Sequence, residues 1–138
     1  MPVRLLDIRE TPLDVGEVVA ALGSDDVGGL NIFVGLVRDH DHGRGVDGLG
    51  YSAHPTALAK MAEVAEAVAV RHGVDVAAVH RVGDLVIGDI AVIVATTAAH
   101  RGAAFAATRD LIDTLKAEVP IWKHQRFADG ADEWVGLP

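Results

Sequence analysis

Three lysines occur in the chain of 138 residues, and two of them, Lys116 and Lys123, flank Pro120 at a spacing of seven. Proline stops a helix, because its ring clashes with the preceding turn and it has no N–H to donate. Lys116 therefore belongs to the last turn of a predicted helix and Lys123 to the strand after it, and the reversal between them turns two ammonium groups toward one cavity. Upstream, His100-Arg101 follows an apolar run and opens the same helix. A helix start presents unbonded N–H groups and about half a positive charge, so the added His and Arg side chains make an anion-binding corner suited to phosphate or carboxylate. Arginine is electrostatically misplaced at that end of a helix, which argues for a function. Arg38 ends a predicted strand at the mouth of a glycine-rich loop. Taken singly, each has an ordinary explanation: Lys116 complements a helix C-terminus, and Lys123, Arg38 and Arg101 are solvated cations.

Other groups carry less chemistry. His40 and His42, in the loop from Asp39 to Asp47, combine imidazole with carboxylate as zinc or manganese sites do. Two such ligands without an H-x-x-x-H or H-E-x-x-H spacing do not make a site, and no metal or other cofactor is expected. His80-Arg81 repeats the His-Arg pair within a strand, where a structural histidine with satisfied hydrogen bonds is the expectation. Gly43-Arg44-Gly45 lacks the strand-to-helix context of a nucleotide-binding loop, and no G-x-S-x-G elbow is present. The chain has no cysteine, which removes thiolate nucleophiles, thiolate metal sites and disulfides. Any sulfur chemistry needs sulfur brought from outside.

Short strands and two long helices must position these groups. Periodicity predicts a first strand over Val3–Ile8 and a helix opened by Thr11 as N-cap, with Pro12 in its first turn, that stops near Gly23. A strand over Gly29–Val37 delivers Arg38 to the loop, and Val46–His54 returns as its hairpin partner. Pro55 to His72 has helical apolar spacing, ended by Gly73. Val76–Val82 and Leu85–Ile87 read as short strands, the second joined through a Gly88-Asp89 hairpin turn to a central strand, Ile90–Thr97. Arg101 to Glu118 is the second long helix, and Trp122–Phe127 with Glu133–Val135 forms a last hairpin. The expected class is α+β, one domain over residues 1–138, with two main helices on one face of mixed, largely antiparallel strands.

Composition narrows the partners. Twelve basic against twenty acidic residues give a net charge of −8, which repels nucleic acid and anionic membrane. The longest apolar stretch, Ile90 to Ala99, is about half the roughly 20 residues of a membrane-spanning helix. The N-terminus lacks a basic region followed by an apolar one, so a cytoplasmic location is expected.

Six ordered blocks then bear on identity: GLVRDH around Arg38, the L-x-Y…P stretch from Leu49 to Pro55, HRVGDLVIGD from His80, AAHRGAAFAA from Ala98, LKAEVPIWKHQ through both lysines, and the later Trp134-Val135. Together they resemble, almost end to end, the MoaE family, the large, catalytic subunits of molybdopterin synthase in molybdenum-cofactor biosynthesis. The resemblance implies an α/β hammerhead fold and a sulfurtransferase that converts cyclic pyranopterin monophosphate to the dithiolene molybdopterin. Both sulfurs come from the C-terminal thiocarboxylate of a small ubiquitin-like, MoaD-like subunit. It also implies a homodimer of large subunits within a heterotetramer, with a pocket that draws on one or both large subunits. Carried over by position, the substrate-binding residues are Leu36, Val37, Arg38, His100, Arg101, Lys116, Lys123, His124 and Gln125. Lys116 and Lys123 have the catalytic roles, and Arg38, His100, Arg101, Lys116 and Lys123 are expected to converge in space. The sequence departs from the family pattern at Ser52, where Glu is usual, at His54, where Tyr is common, and at Gln125, where Glu often follows the lysine. Gln125 keeps hydrogen-bonding capacity without charge. A docking module for a ubiquitin-like tail needs the groove without the cations, and a dimeric anion-sensing domain leaves the Lys116 and Lys123 pair unexplained.

Overall fold

A computed structural model describes residues 1–41 and 43–136. Its elements run β1 (Val3–Arg9), α1 (Val15–Leu22), β2 (Gly29–Leu36), β3 (His40–Asp41), β4 (Arg44–Ala53), α2 (Ala57–His72), β5 (Asp75–Arg81), β6 (Gly83–Leu85), β7 (Ile90–Ala98), α3 (Arg101–Glu118), β8 (Ile121–Phe127) and β9 (Asp132–Gly136). His42 of the loop histidine pair lies outside the described residues. No described helix is long and apolar enough to cross a membrane.

The run Ile90–Ala98 has no polar alternation because β7 is covered on both faces. It sits inside a four-stranded sheet of order β1-β5-β7-β2, pairing antiparallel with β5 and β2, while β1 joins β5 in parallel. On one face, α2 and α3 bury Met61, Val68, Leu111 and Leu115 against Val76, Val94 and their neighbours. Alanines 104 and 107 bring α3 close to the sheet, and Thr96 Oγ1 donates to the Ala104 carbonyl at 2.9 Å. Removing a buried side chain such as Leu111, by substitution to Ala, costs about 2–5 kcal/mol. Between the helices, Asp110 accepts from Arg71, from His72 Nε2 at 2.8 Å and from Thr114 at 3.0 Å.

A second sheet carries the lysine strand. It is five-stranded, ordered β3-β4-β8-β9 with β6 added to β4. The α+β class holds, with mixed and largely antiparallel strands, and it differs from the sequence reading in four particulars. The first helix starts at Val15, capped by Asp14, whose Oδ1 accepts the Gly16 N–H at 2.9 Å; Thr11 and Pro12 lie ahead of it, and Leu13 is spent on the core instead. This helix packs with Val18 and Leu22 against Ala77, Val79, Ile93 and Ala95, on the face opposite α2 and α3. The short strand after β5 spans Gly83–Leu85 and pairs with β4, not with β7. Gly88-Asp89 instead bonds to Val37, through Val37 N–H to the Asp89 carbonyl at 3.0 Å and Gly88 N–H to the Val37 carbonyl at 2.8 Å. Finally, Val46–His54 is not the hairpin partner of Gly29–Val37: β2 packs Ile32 and Val34 into the core beside Ile93 and pairs with β7, whereas β4 goes to the second sheet and pairs with β3, β6 and β8; β1 and β2 are the edges of the first sheet.

Candidate active site

A proline-terminated helix and a strand that follows almost at once put two lysines in one place. Helix α3 ends at Glu118, and Ile121 N–H bonds back to the Val119 carbonyl at 2.8 Å as the chain turns into β8. Strand register does the rest. Lys123 pairs with Tyr51 on β4 and with Val135 on β9, so these three side chains form a row on one face of the second sheet. Lys116 and Leu115 close over this row from α3, and His80 enters from β5. The result is a cavity of about 170 Å³ lined by Tyr51, His80, Leu115, Lys116, Val119, Ile121, Lys123 and Val135.

The electrostatics of this cavity are those of crowded cations. Lys116 keeps much of its surface open at the mouth, yet the protein around its ammonium desolvates it and Lys123 repels it, and both effects lower its pKa. Lys60, the third lysine, is elsewhere, paired with Glu63 and Glu118. Burial raises the Tyr51 phenol. His80 is 5% exposed. Its Nδ1 lies 2.7 Å from the Arg81 carbonyl oxygen, which can only accept, so Nδ1 carries the proton. Burial, and secondarily the positive charge of Lys116, push its pKa down to about 4, and the ring is neutral at pH 7. Tyr51 meets the His80 ring edge-on with centroids 4.9 Å apart.

Around the cavity the expected residues divide. Arg38 lies just past β2, two-thirds exposed, and its Nη2 reaches Asp41 Oδ1 at 3.3 Å. Asp41 Oδ2 in turn accepts from Gln125 Nε2 at 2.8 Å. Gln125 is buried and sits two residues from Lys123 on the same face of β8, so Arg38 is tied to the lysine strand through a carboxylate that Asp41 supplies. Val37 is buried with Leu49, Leu85 and Ala91, and Tyr51 packs against this cluster. Leu36 is exposed at the end of edge strand β2. His124 points to the other face of β8, stacked on Trp134 at 4.4 Å and bonded through Nε2 to Asp132 at 3.0 Å.

His100 and Arg101 do not join the lysines within one chain. Arg101 opens α3 and Lys116 lies fifteen residues on, which at about 1.5 Å per residue separates them by about 22 Å. Both are exposed. His100 occupies the N-cap position in extended conformation without a side-chain capping bond, and no acidic residue stands in the first turn, so the first N–H groups of α3 are left for an anion. Backbone contact fixes this helix end against the start of β2. A Cβ on Gly28 would lie 2.2 Å from the Ala99 carbonyl oxygen, and one on Gly29 would lie 3.2 Å from Arg101 Cα.

Sequence reasoning missed two walls of the cavity, Tyr51 and His80. The signal for Tyr51 was its pairing with Lys123, which needs a register between strands 72 residues apart. His80 has the satisfied Nδ1 expected of a structural residue, and it also faces the lysines. Among the described residues no group of three His, Asp or Glu is placed to hold a metal ion.

Comparison with known proteins agrees across sequence and structure. The model of the MoaE protein family matches residues 8–118. The chain is 45% identical over 131 residues to molybdopterin synthase catalytic subunit 1 of Mycobacterium tuberculosis, covering 94% of this chain and 88% of that one. It is 32% identical to the molybdopterin synthase catalytic subunit of Bacillus subtilis, over 94% of this chain and 83% of the relative. Among solved structures, molybdopterin synthase from Staphylococcus aureus superposes with a TM-score of 0.88 at 30% identity, covering 96% of this chain and 97% of the other. The molybdopterin biosynthesis MoaE protein of Burkholderia ambifaria gives 0.82 at 36% identity, covering 97% and 90%. With a family model spanning most of its length and relatives alike in both sequence and fold, the chain belongs to the MoaE family.

Proposed function

We propose that this chain is the catalytic subunit of a molybdopterin synthase, a sulfurtransferase that converts cyclic pyranopterin monophosphate to molybdopterin with sulfur from a partner's C-terminal thiocarboxylate. The observation that carries the reading is the cavity in which Lys116 and Lys123 face each other beside neutral His80. Thiocarboxylate and phosphate are both anions, and a cavity with cations already in place stabilises negative charge as it develops. The lowered pKa of Lys116 leaves more of its amine neutral near pH 7 than an ordinary lysine, so it can exchange protons with the reacting groups. In each transfer the thiocarboxylate sulfur bonds to a side-chain carbon of the pterin as a C–O bond at that carbon breaks, the oxygen leaving with the phosphate where the cyclic ester opens or, once protonated, as water. Water then cleaves the acyl–sulfur bond, leaving the small subunit's tail as a carboxylate and the sulfur on the pterin. Lys116 delivers or removes the proton, Lys123 holds negative charge on the acyl oxygen, and Arg38 orients the pterin.

The distant His100-Arg101 corner enters through a second copy. Strand β2 is a sheet edge, with Phe33 exposed near its middle and Leu36 exposed at its end. Its start adjoins Arg101, and its end leads to Val37, which packs beside Tyr51 of the cavity. Two such edges paired antiparallel about a twofold axis place the start of one opposite the end of the other. The phosphate-binding corner of each copy is thereby carried toward the lysine cavity of its partner. A heterotetramer of two such chains and two small ubiquitin-like subunits in the cytoplasm completes the assembly.

Reconstitution tests this. The chain, a thiocarboxylated small subunit and the cyclic pterin phosphate should yield a dithiolene product. Complex formation without product would reassign the chain to docking the ubiquitin-like tail.

A further inference from the structure

His80 lines the cavity, and the proposed reaction gives it no part. His80 ends a run of β5 in which Val76, Ala77, Ala78 and Val79 are all buried and apolar, and a polar ring in such a place is costly unless its nitrogens are used. Nδ1–H is used by the Arg81 carbonyl. That bond fixes the tautomer and leaves Nε2 as a bare acceptor. Among the described residues nothing donates to Nε2, and His80 lines the same cavity as Lys116. Tyr51, edge-on, holds the ring plane.

We propose that His80 is a positioning residue for Lys116: its Nε2 accepts an N–H of the lysine and aims the amine into the cavity without adding a negative charge. A carboxylate at this place would also aim the amine, but it would bind the ammonium form and hold the lysine protonated. A hydrocarbon side chain would fill the space and leave the lysine to wander. The other charged or titratable groups facing Lys116 are Lys123 from β8 and Tyr51 from β4. On its own helix Asp113 is one turn back and pairs with Arg109 at 3.7 Å. None of these is a neutral acceptor fixed by a second hydrogen bond.

The inference rests on the synthase reading for its catalytic consequence only, and two measurements keep the two separate. The first uses protein carrying 13C at lysine Cε, in which the three lysines are followed through pH. Asparagine imitates Nδ1 of histidine and places nothing at Nε2, whereas glutamine places an amide oxygen near Nε2. Losing an acceptor disfavours the charged form, so H80N should lower the Lys116 midpoint by about half a unit or more, and H80Q should restore it. The second is steady-state turnover. H80N should lower kcat at least about tenfold with little change in KM, through misaimed geometry, and H80Q should recover most of that loss. Identical Lys116 titration in wild type, H80N and H80Q overturns the proposal. So does equal turnover of H80N and H80Q. Should H80N fail to fold, the wild-type 15N signal of His80 Nε2 decides: it should move as Lys116 titrates, and an unmoved signal overturns the proposal. A wild-type protein without turnover defeats the synthase reading alone, since the titrations do not pass through sulfur transfer.

Discussion

The two ends of α3 hold cations in opposite ways. At its C-terminal end Lys116 meets Lys123, Tyr51 and His80 inside a cavity, and the crowding lowers its pKa. At the N-terminal end His100 and Arg101 are exposed beside the first N–H groups of a helix that has no side-chain cap. Surroundings change what a cation can do. Partly desolvated at a cavity mouth and repelled by a second ammonium, a lysine gives up its proton more readily. Left in water at a helix start, an arginine remains a fixed charge that gathers an anion. One rigid helix separates the two cation sites by about 22 Å, and in the assembly proposed above they meet through a second copy that brings its own helix start to the first copy's cavity.

The sharpest way to break this contrast is to remove the enclosed cation. K116A should lose about a hundredfold or more in turnover, the range of a lost acid–base group, with its unfolding transition unchanged; product formation with thiocarboxylated partner reads it. Next in size is the effect of acid on the enclosed end. The unfolded His80 has a pKa near 6.5 and the folded one about 4, so as pH falls the unfolded chain takes up the proton first. Its contribution to stability is complete above pH 6.5 and disappears as pH approaches 4, a loss of about 3 kcal/mol. Urea unfolding at pH 7 and pH 4.5 should show it, and H80Q should lack that part of the pH dependence. The open end should respond more mildly, with R101A raising KM for the pterin phosphate by about tenfold. With pterin phosphate well below KM, where R101A chains alone turn over slowly, mixing K116A with R101A chains should then restore activity to about a quarter of wild type, since half of randomly mixed dimers carry one intact composite site. No restoration would place both ends' roles within single chains. Smallest is the reciprocal effect of capping: H100D supplies the missing acceptor to the first turn of α3 and should stabilise the fold by about 1 kcal/mol, seen as a raised Tm, while weakening phosphate binding.

Periodicity made the long elements legible. Helices over Ala57–His72 and Arg101–Glu118 and the apolar strand Ile90–Ala98 lie within two residues of their reading, because burial of one face, or of both, is written locally. The Thr11 cap was misread because Thr-Pro satisfies the same local rule as Asp14, and only the burial of Leu13 decides between them. The partner of Gly83–Leu85 was misread because strand pairing is chosen by distant chain. For the same reason the lysine pair around Pro120 could be read from spacing, whereas its walls could not. Tyr51 and His80 come from strands whose approach is set by the whole sheet arrangement. The separation of His100-Arg101 from Lys116 was already contained in helical rise along α3, so of the two arrangements the sequence left open, a pocket drawn from one large subunit or from both, the length of that helix disfavours the first. Gln125 donates to the Asp41 carboxylate, 84 residues away, a contact that no local pattern records.

Gly28 has no room for even a methyl group against the Ala99 carbonyl. The start of α3 is thus seated by main chain against main chain, a mechanical stop that surface side chains cannot loosen as they drift over generations. Whatever rests on that helix end is held at a height set by two peptide planes, and a single added carbon at residue 28 would jack the anchor point away from the sheet edge it serves.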